Sequence, residues 1–183
     1  MNRVESKAEL RTWAKTLAPA TGDESSAVAG HVSTFIAANR WRRTLTFLAM
    51  PGEVDLATIE GDLELAVTRT PARGPLTIHR LDEDLETHPF GYEQPREGAE
   101  PVHPEEIECV LVPGVLFAPD GSRLGHGRGY YDTLLQSLTH RPFFLGVTLA
   151  RRVIADLPMT DDDVYMDAIA TENGVTLTSS STR

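Results

Sequence analysis

The sequence predicts an α/β fold, a single three-layer domain in which a mostly parallel, open sheet is flanked by helices. Three observations lead there. Strand-like apolar runs alternate along the chain with segments of helical period. The run 109–112 is apolar without interruption, which suits a parallel strand covered on both faces. A glycine-rich stretch follows it and opens a further helical segment, so a phosphate-binding loop between a strand and a helix is expected. A chain of 183 residues suits one domain spanning 1–183, with residues 178–183 expected as a disordered tail.

The elements follow in order. Ser6 with Glu9 three residues later is a capping-box pattern, and Leu10, Trp13, Ala14 and Leu17 form one face of a short helix ending before Pro19. Val28, Val32, Phe35 and Ile36 give a second helix over 23–39, with Asp23 as its cap. Residues 44–50 are rich in β-formers and are stopped by Pro51-Gly52. Asp55 can cap a third helix carrying Leu56, Ile59 and Leu63, although Gly61 weakens it. Two short strands are expected at 65–70 and 76–81, around the turn at 71–75. Residues 82–108 are acidic, rich in proline and without period, and read as an ordered loop. After the strand at 109–112 come a helix over 130–138, a strand at 143–149, a helical turn or two at 151–156, and closing strands at 168–171 and 175–178.

Composition removes several function classes. The net charge of −10 opposes attraction to nucleic-acid backbones, so no nucleic-acid partner is expected. Cys109 is the single cysteine, so an intrachain disulfide is impossible and a reducing compartment fits. The start MNRVESKAELRTWAK is too polar for a signal peptide, and no apolar run approaches the roughly 20 residues of a membrane span. A cytoplasmic location, no membrane partner and a monomer are expected. His31, His79, His88, His103, His126 and His140 lack metal-ligand spacing, there is no Gly-x-Ser-x-Gly elbow, and Cys109 sits in an apolar run as a core residue would.

The informative stretch is VPGVLFAPDGSRLGHGRGYYDTLL, 112–135. Gly125, Gly127 and Gly129 alternate, which lets the backbone approach a ligand closely. A helix opens there, and Arg123 and Arg128 add positive charge, so the features together describe a phosphate cradle. The Walker pattern is not met, because Tyr130 and Tyr131 stand where Lys-Ser or Lys-Thr is required. Read alone, the glycines could equally mark a surface turn or close helix packing.

RLGHGRGYYD, 123–132, closely resembles the signature of the 5-formyltetrahydrofolate cyclo-ligase family, also called methenyltetrahydrofolate synthetase. There an Arg, alternating glycines with basic residues between them, and Tyr-Tyr-Asp occur in this order. KAELR, 7–11, looks like the family's amino-terminal Lys-x-x-Leu-Arg motif. FLAMPGEVD, 47–55, looks like its folate-contacting strand and turn, and LPMTDDDVYMDAIATENG, 157–174, is similar to its carboxy-terminal pattern. The matches keep the family's order and span most of the chain.

The resemblance implies an α/β enzyme that uses ATP and Mg2+ to convert 5-formyltetrahydrofolate to 5,10-methenyltetrahydrofolate, releasing ADP and phosphate through a phosphorylated formyl (imidate) intermediate. It implies nucleotide contacts from Lys7, Arg11, Arg123, Leu124, Gly125, His126, Gly127, Arg128, Gly129, Tyr130 and Tyr131. Folate contacts are implied for Leu48, Glu53, His126, Gly127, Arg128, Gly129 and Tyr130, and catalytic roles for Arg123, His126, Arg128 and Tyr130. Asp132 and Asp163 match its magnesium-binding carboxylates, and hard oxygen ligands suit that ion. The chain departs from the family at His126, where Arg or Gly is usual, at Thr133 and near Arg151, and the stretch 60–95 is shorter than usual. A nucleotide- or folate-binding module without catalysis, and an ATP-dependent enzyme acting on another small amide, are the other two readings. Release of ADP separates the first from catalysis, and the substrate that elicits it separates the second.

Overall fold

The computed structural model describes residues 6–81, 84–89 and 91–179. Along the chain run α1 (Lys7–Ala14), α2 (Gly22–Asn39), β1 (Arg43–Thr46), β2 (Glu64–Arg69), β3 (Thr77–Arg80), β4 (Leu85–Thr87), β5 (Glu93–Pro95), β6 (Cys109–Pro113), β7 (Leu116–Phe117) and β8 (Arg123–Leu124). Then come α3 (Tyr130–Ser137), β9 (Phe143–Val147), β10 (Ala168–Thr171) and β11 (Gly174–Leu177). Seven strands form one sheet in the order β11-β10-β9-β6-β1-β2-β3. The five inner strands are parallel, and β3 and β11 pair antiparallel at the two edges. This is the mostly parallel α/β architecture that the sequence predicts.

Burial on both faces explains the unbroken apolar run of β6. Cys109 and Leu111 join Val28, Val32 and Ile36 of α2 in one core cluster. Val110 and Val112 point the other way, onto Leu134 and Leu135 of α3. Phe117, wholly buried on that second face, packs against bare backbone: a Cβ on Gly146 would stand 2.5 Å from its ring. Gly146→Ala is therefore expected to cost about 1–3 kcal/mol through overpacking, read as a lower midpoint in thermal unfolding followed by circular dichroism.

Both predicted amino-terminal helices form. Ser6 and Glu9 close a capping box on α1. The cap of α2 is Thr21 rather than Asp23, because Thr21 and Glu24 satisfy each other's backbone amides in a second capping box, which Asp23 cannot do one turn in. Glu24 is also gripped by both guanidinium nitrogens of Arg151, from a 3-10 turn at Ala150–Arg152. That single turn replaces the longer helical segment expected at 151–156.

The Arg151 hydrogen bonds, with the Thr21 amide, draw the Glu24 carboxyl down to about 2 from an ordinary 4.5. A depressed carboxylate stabilises the fold above its unfolded pKa and loses that contribution as pH falls through the folded one. Glu24→Gln is thus expected to lower the melting midpoint at pH 7 by a few degrees. The gap from the parent should shrink below pH 4.5 and close near pH 2.

The expected third helix from Asp55 does not form. Its amides are taken by side chains: Ser25 Oγ accepts from Asp55 N, Ser33 Oγ from Glu60 N, and Asp55 Oδ1 from Ala57 N. With those donors satisfied and Gly61 at φ 140°, the segment lies against α2 as turns, and Leu56 is still buried. The acidic stretch 82–108 is also more regular than expected. β4 and β5 pair antiparallel, and a 3-10 turn covers Pro104–Glu106; residues 82, 83 and 90 lie outside those described. A further hairpin, β7 with β8, stands between β6 and the glycine-bearing loop. The tail expected at 178–183 begins later, because the buried Thr178 hydroxyl donates to Met166 O at 2.7 Å; residues 180–183 lie outside those described.

The strand order fixes where a cleft can form. From β1 the chain proceeds to one side of the sheet, through β2 and β3; from β6 it proceeds to the other, through β9, β10 and β11. The carboxyl ends of β1 and β6 are therefore the topological switch point, where the flanking connections diverge and leave a crevice.

Candidate active site

A cleft of 530 Å³ opens at that switch point, and every residue singled out in the sequence lines it. Three elements supply them. Helix α1 presents Lys7 and Arg11 one turn apart, on one face. Lys7 Nζ pairs with Asp163 Oδ2. Arg11 Nε donates to Gly125 O at 2.8 Å, which ties the helix to the glycine loop.

Beyond β1 the chain leaves the sheet with Phe47, Leu48 and Met50 along the cleft and turns at Pro51-Gly52. Gly52 takes φ 89°, a conformation glycine allows at no steric cost. The turn is closed twice: Glu53 N donates to Met50 O, and Met50 N donates to Glu53 Oε2, each at 3.0 Å. This aims the other carboxylate oxygen across the cleft, where Glu53 Oε1 lies 2.9 Å from His126 Nε2.

The third element is the segment from β8 to α3. Arg123 is 5% exposed; its Nη1 donates to Pro113 O and its Nη2 to Asp132 Oδ1 at 2.6 Å, while Nε has no partner among the described residues. A Cβ on Gly125 would stand 2.9 Å from Arg123 Nη1, so that glycine is what admits the guanidinium. Gly127 at φ 94° brings the loop against Arg11, and Gly129 at φ 70° is the N-cap of α3 without a side-chain cap. The first amides of α3 consequently face the loop with no cap of their own, a setting that favours a bound anion.

Tyr130 and Arg128 stand exposed at the rim, whereas the Tyr131 ring forms floor beneath Arg123, its centroid 6.0 Å from the guanidinium carbon. Burial pushes the Tyr131 hydroxyl well above its ordinary range, so it remains a neutral phenol.

The charges are balanced. Lys7, Arg11, Arg123 and Arg128 face Glu53, Glu93, Asp132 and Asp163. Burial raises the Asp163 carboxyl, but hydrogen bonds from Lys7 and from the Thr160 amide and hydroxyl outweigh it, so its pKa lies below the ordinary value. Each metal candidate receives its donors on one oxygen, Oδ1 of Asp132 and Oδ2 of Asp163, which leaves the other for a hard cation. No cluster of three or more His, Cys, Asp or Glu gathers among the described residues. A magnesium ion that keeps waters and phosphate oxygens needs only one or two carboxylates, so the donor set fits it.

Residues that the sequence reading passed over complete the cleft. Thr68 and Thr70 at the end of β2, Leu76, Tyr92 and Glu93 form the wall opposite Glu53. Tyr92 shares a 2.8 Å hydrogen bond with Thr70, Thr70 N donates to Gln94 Oε1, and Gln94 and Arg69 both donate to Glu86. The β4–β5 hairpin is thereby fastened over the end of β2. The hydroxyl and amide side chains at 68–70 and 92–94 are its only trace in the sequence. A second cleft, of 490 Å³, adjoins the first and shares Arg11, Glu53 and His126 with it.

Comparison with known proteins gives a consistent result. The model of the 5-formyltetrahydrofolate cyclo-ligase family matches residues 3–172. A 5-formyltetrahydrofolate cyclo-ligase of Saccharomyces cerevisiae is 29% identical over 180 residues, covering 82% of this chain and 85% of the yeast protein. A probable cyclo-ligase of Caenorhabditis elegans is 36% identical over 73 residues, 36% of this chain and about a third (34%) of that relative's length. Among solved structures, the 5,10-methenyltetrahydrofolate synthetase of Aquifex aeolicus superposes with a TM-score of 0.74 at 27% identity, over 93% of this chain and 92% of that one. The cleft at the switch point and the match across nearly the whole length lead to one conclusion: this chain belongs to the 5-formyltetrahydrofolate cyclo-ligase family.

Proposed function

We propose that this protein uses ATP to close 5-formyltetrahydrofolate to 5,10-methenyltetrahydrofolate, with release of ADP and phosphate. The observation that carries the reading is the convergence, in one cleft of a family member, of the α1 cations, the Glu53 turn and the glycine loop. Lys7, Arg11 and Arg123, with the amides of Gly125, Gly127 and Gly129 and the side chains of Leu124 and Tyr131, would hold the triphosphate. Leu48 and Glu53, with the wall of Thr68, Thr70 and Tyr92, would hold the folate. His126, Arg128 and Tyr130 stand between the two groups, next to the reacting formyl oxygen.

That oxygen is a poor leaving group, and moving the γ-phosphoryl group onto it supplies a good one. Phosphoryl transfer depends mainly on positioning and on neutralising spread charge. The two ion pairs of the cleft suit that task, since Lys7 and Arg123 can turn from their carboxylates toward phosphate oxygens. Asp132 and Asp163 would hold Mg2+ by their remaining oxygens, and the ion would neutralise phosphate charge during transfer.

We place the activity in the cytoplasm, with the protein a monomer. The Cys109 thiol is buried in the sheet, its pKa raised by desolvation, and needs no oxidising compartment. No helix among the described residues is long and apolar enough to cross a membrane. The acidic net charge disfavours nucleic acid.

Purified protein with 5-formyltetrahydrofolate, ATP and magnesium should generate the near-ultraviolet absorbance of the methenyl product, and only with both ATP and metal. Binding of ATP without product would overturn the assignment.

A further inference from the structure

Ring closure makes a demand that phosphoryl transfer does not meet. When N10 of the folate bonds to the activated formyl carbon it carries a proton, and the product amidinium forms only after that proton is gone. Some group in the cleft must take it.

Among the described residues His126 is placed for this. Glu53 Oε1 lies 2.9 Å from Nε2 of the imidazole, and Nδ1 makes no hydrogen bond. A carboxylate holds the proton of its histidine on the nitrogen it faces and leaves the other nitrogen as an acceptor. Glu53 is itself fixed, because its second oxygen takes the Met50 amide and its side chain is only 17% exposed. The imidazole is half exposed and lines both clefts, so it borders the space between the folate wall and the glycine loop. The charged groups around it are Arg128 on its own loop, Arg11 and Lys15 from α1 and its end, Arg152 behind the Glu53 turn, and Glu53 itself. The four cations oppose an imidazolium and favour the neutral base; Glu53 alone favours the charged form that follows proton uptake.

We infer that His126 is the proton acceptor of ring closure and that Glu53 orients it. The inference rests on the reaction proposed above. N10 bonds to the formyl carbon, and its proton passes to Nδ1 of His126. The C–O bond then breaks, its electron pair leaves with phosphate, and the N10 lone pair completes the amidinium. The imidazolium returns its proton to the departing phosphate or to water. In this sequence His126 acts after ATP has been consumed, which distinguishes it from the residues that hold the triphosphate.

The test compares ADP and methenyl product in the same reaction. The parent protein should release them one to one. In His126→Gln product formation should fall about 10²-fold, at the lower end of what a general base contributes, while ADP release falls less, so that the ratio of ADP to product rises well above one as the stranded intermediate hydrolyses. The acidic limb of the single-turnover pH profile should vanish with it. Nitrogen-15 spectra of the parent's His126 should show the proton on Nε2, and Glu53→Gln should abolish that preference. Equal losses of ADP and product in His126→Gln would overturn the inference, and so would a His126→Arg protein with the parent's one-to-one ratio. A parent that makes no product would instead refute the proposed reaction itself.

Discussion

Asp132→Asn is expected to lower turnover by about 10³-fold, the upper end of what one preorganised electrostatic contact supplies, and to lower stability as well. Judged from its sequence position alone, the substitution should leave stability nearly untouched. The structure changes that expectation, because Asp132 Oδ1 is the carboxylate partner of a guanidinium with a nearly inaccessible side chain, 3% exposed. An asparagine keeps one acceptor but removes the countercharge. The loss of a hydrogen bond between charged groups is about 1.5–3 kcal/mol; with the carboxylate itself 26% exposed, solvent screening brings the expectation toward the lower figure.

A double-mutant cycle separates the two effects. Arg123→Met removes the buried charge and fills part of its volume with a flexible apolar chain. The double variant should therefore melt above Asp132→Asn alone, while its turnover stays as low, because neither phosphate contact nor metal carboxylate has returned. A double variant that melts no higher than Asp132→Asn would show that the stability loss does not come from the unpaired guanidinium.

The difference between what the sequence disclosed and what it withheld has a physical basis. Helices α1 and α2 were legible because period and capping are local, and β6 because burial on both faces leaves no polar residue in the run. The segment after Asp55 misled for the same reason. Its apolar spacing and cap are those of a helix, and nothing local reveals that Ser25 and Ser33, on another element, take up the amides a helix would use. The site divides in the same way. Arg123, the glycines and Asp132 form one contiguous run, and the resemblance gathers Lys7, Glu53 and Asp163 to it. The wall of Thr68, Thr70 and Tyr92 depends on how the β4–β5 hairpin docks on β2, a contact between polar side chains distant in sequence. The uncertainty attached to the short stretch 60–95 is answered in geometry: it does form one side of the cleft.

Gly127→Ala is expected to reduce kcat/KM for ATP by about 10²-fold, the order reached when a modest displacement spoils positioning, with only a minor effect on the melt. Two consequences of the methyl group combine. At φ 94° an alanine is strained by roughly 1–2 kcal/mol, which an exposed loop can relieve by shifting. The new Cβ would also stand 3.1 Å from Arg11 Cζ and 3.3 Å from Nε, the atom that donates to Gly125 O. Relief of either strain moves Arg11 and the loop apart, so the cation and the amides that should hold one phosphate chain no longer converge. If the Arg11 contact is the cause, the two sites are coupled and their effects will not add. In an Arg11→Ala background, already slow, Gly127→Ala should cost much less than in the parent. Full additivity would assign the loss to backbone strain alone and remove Arg11 from the account of the loop.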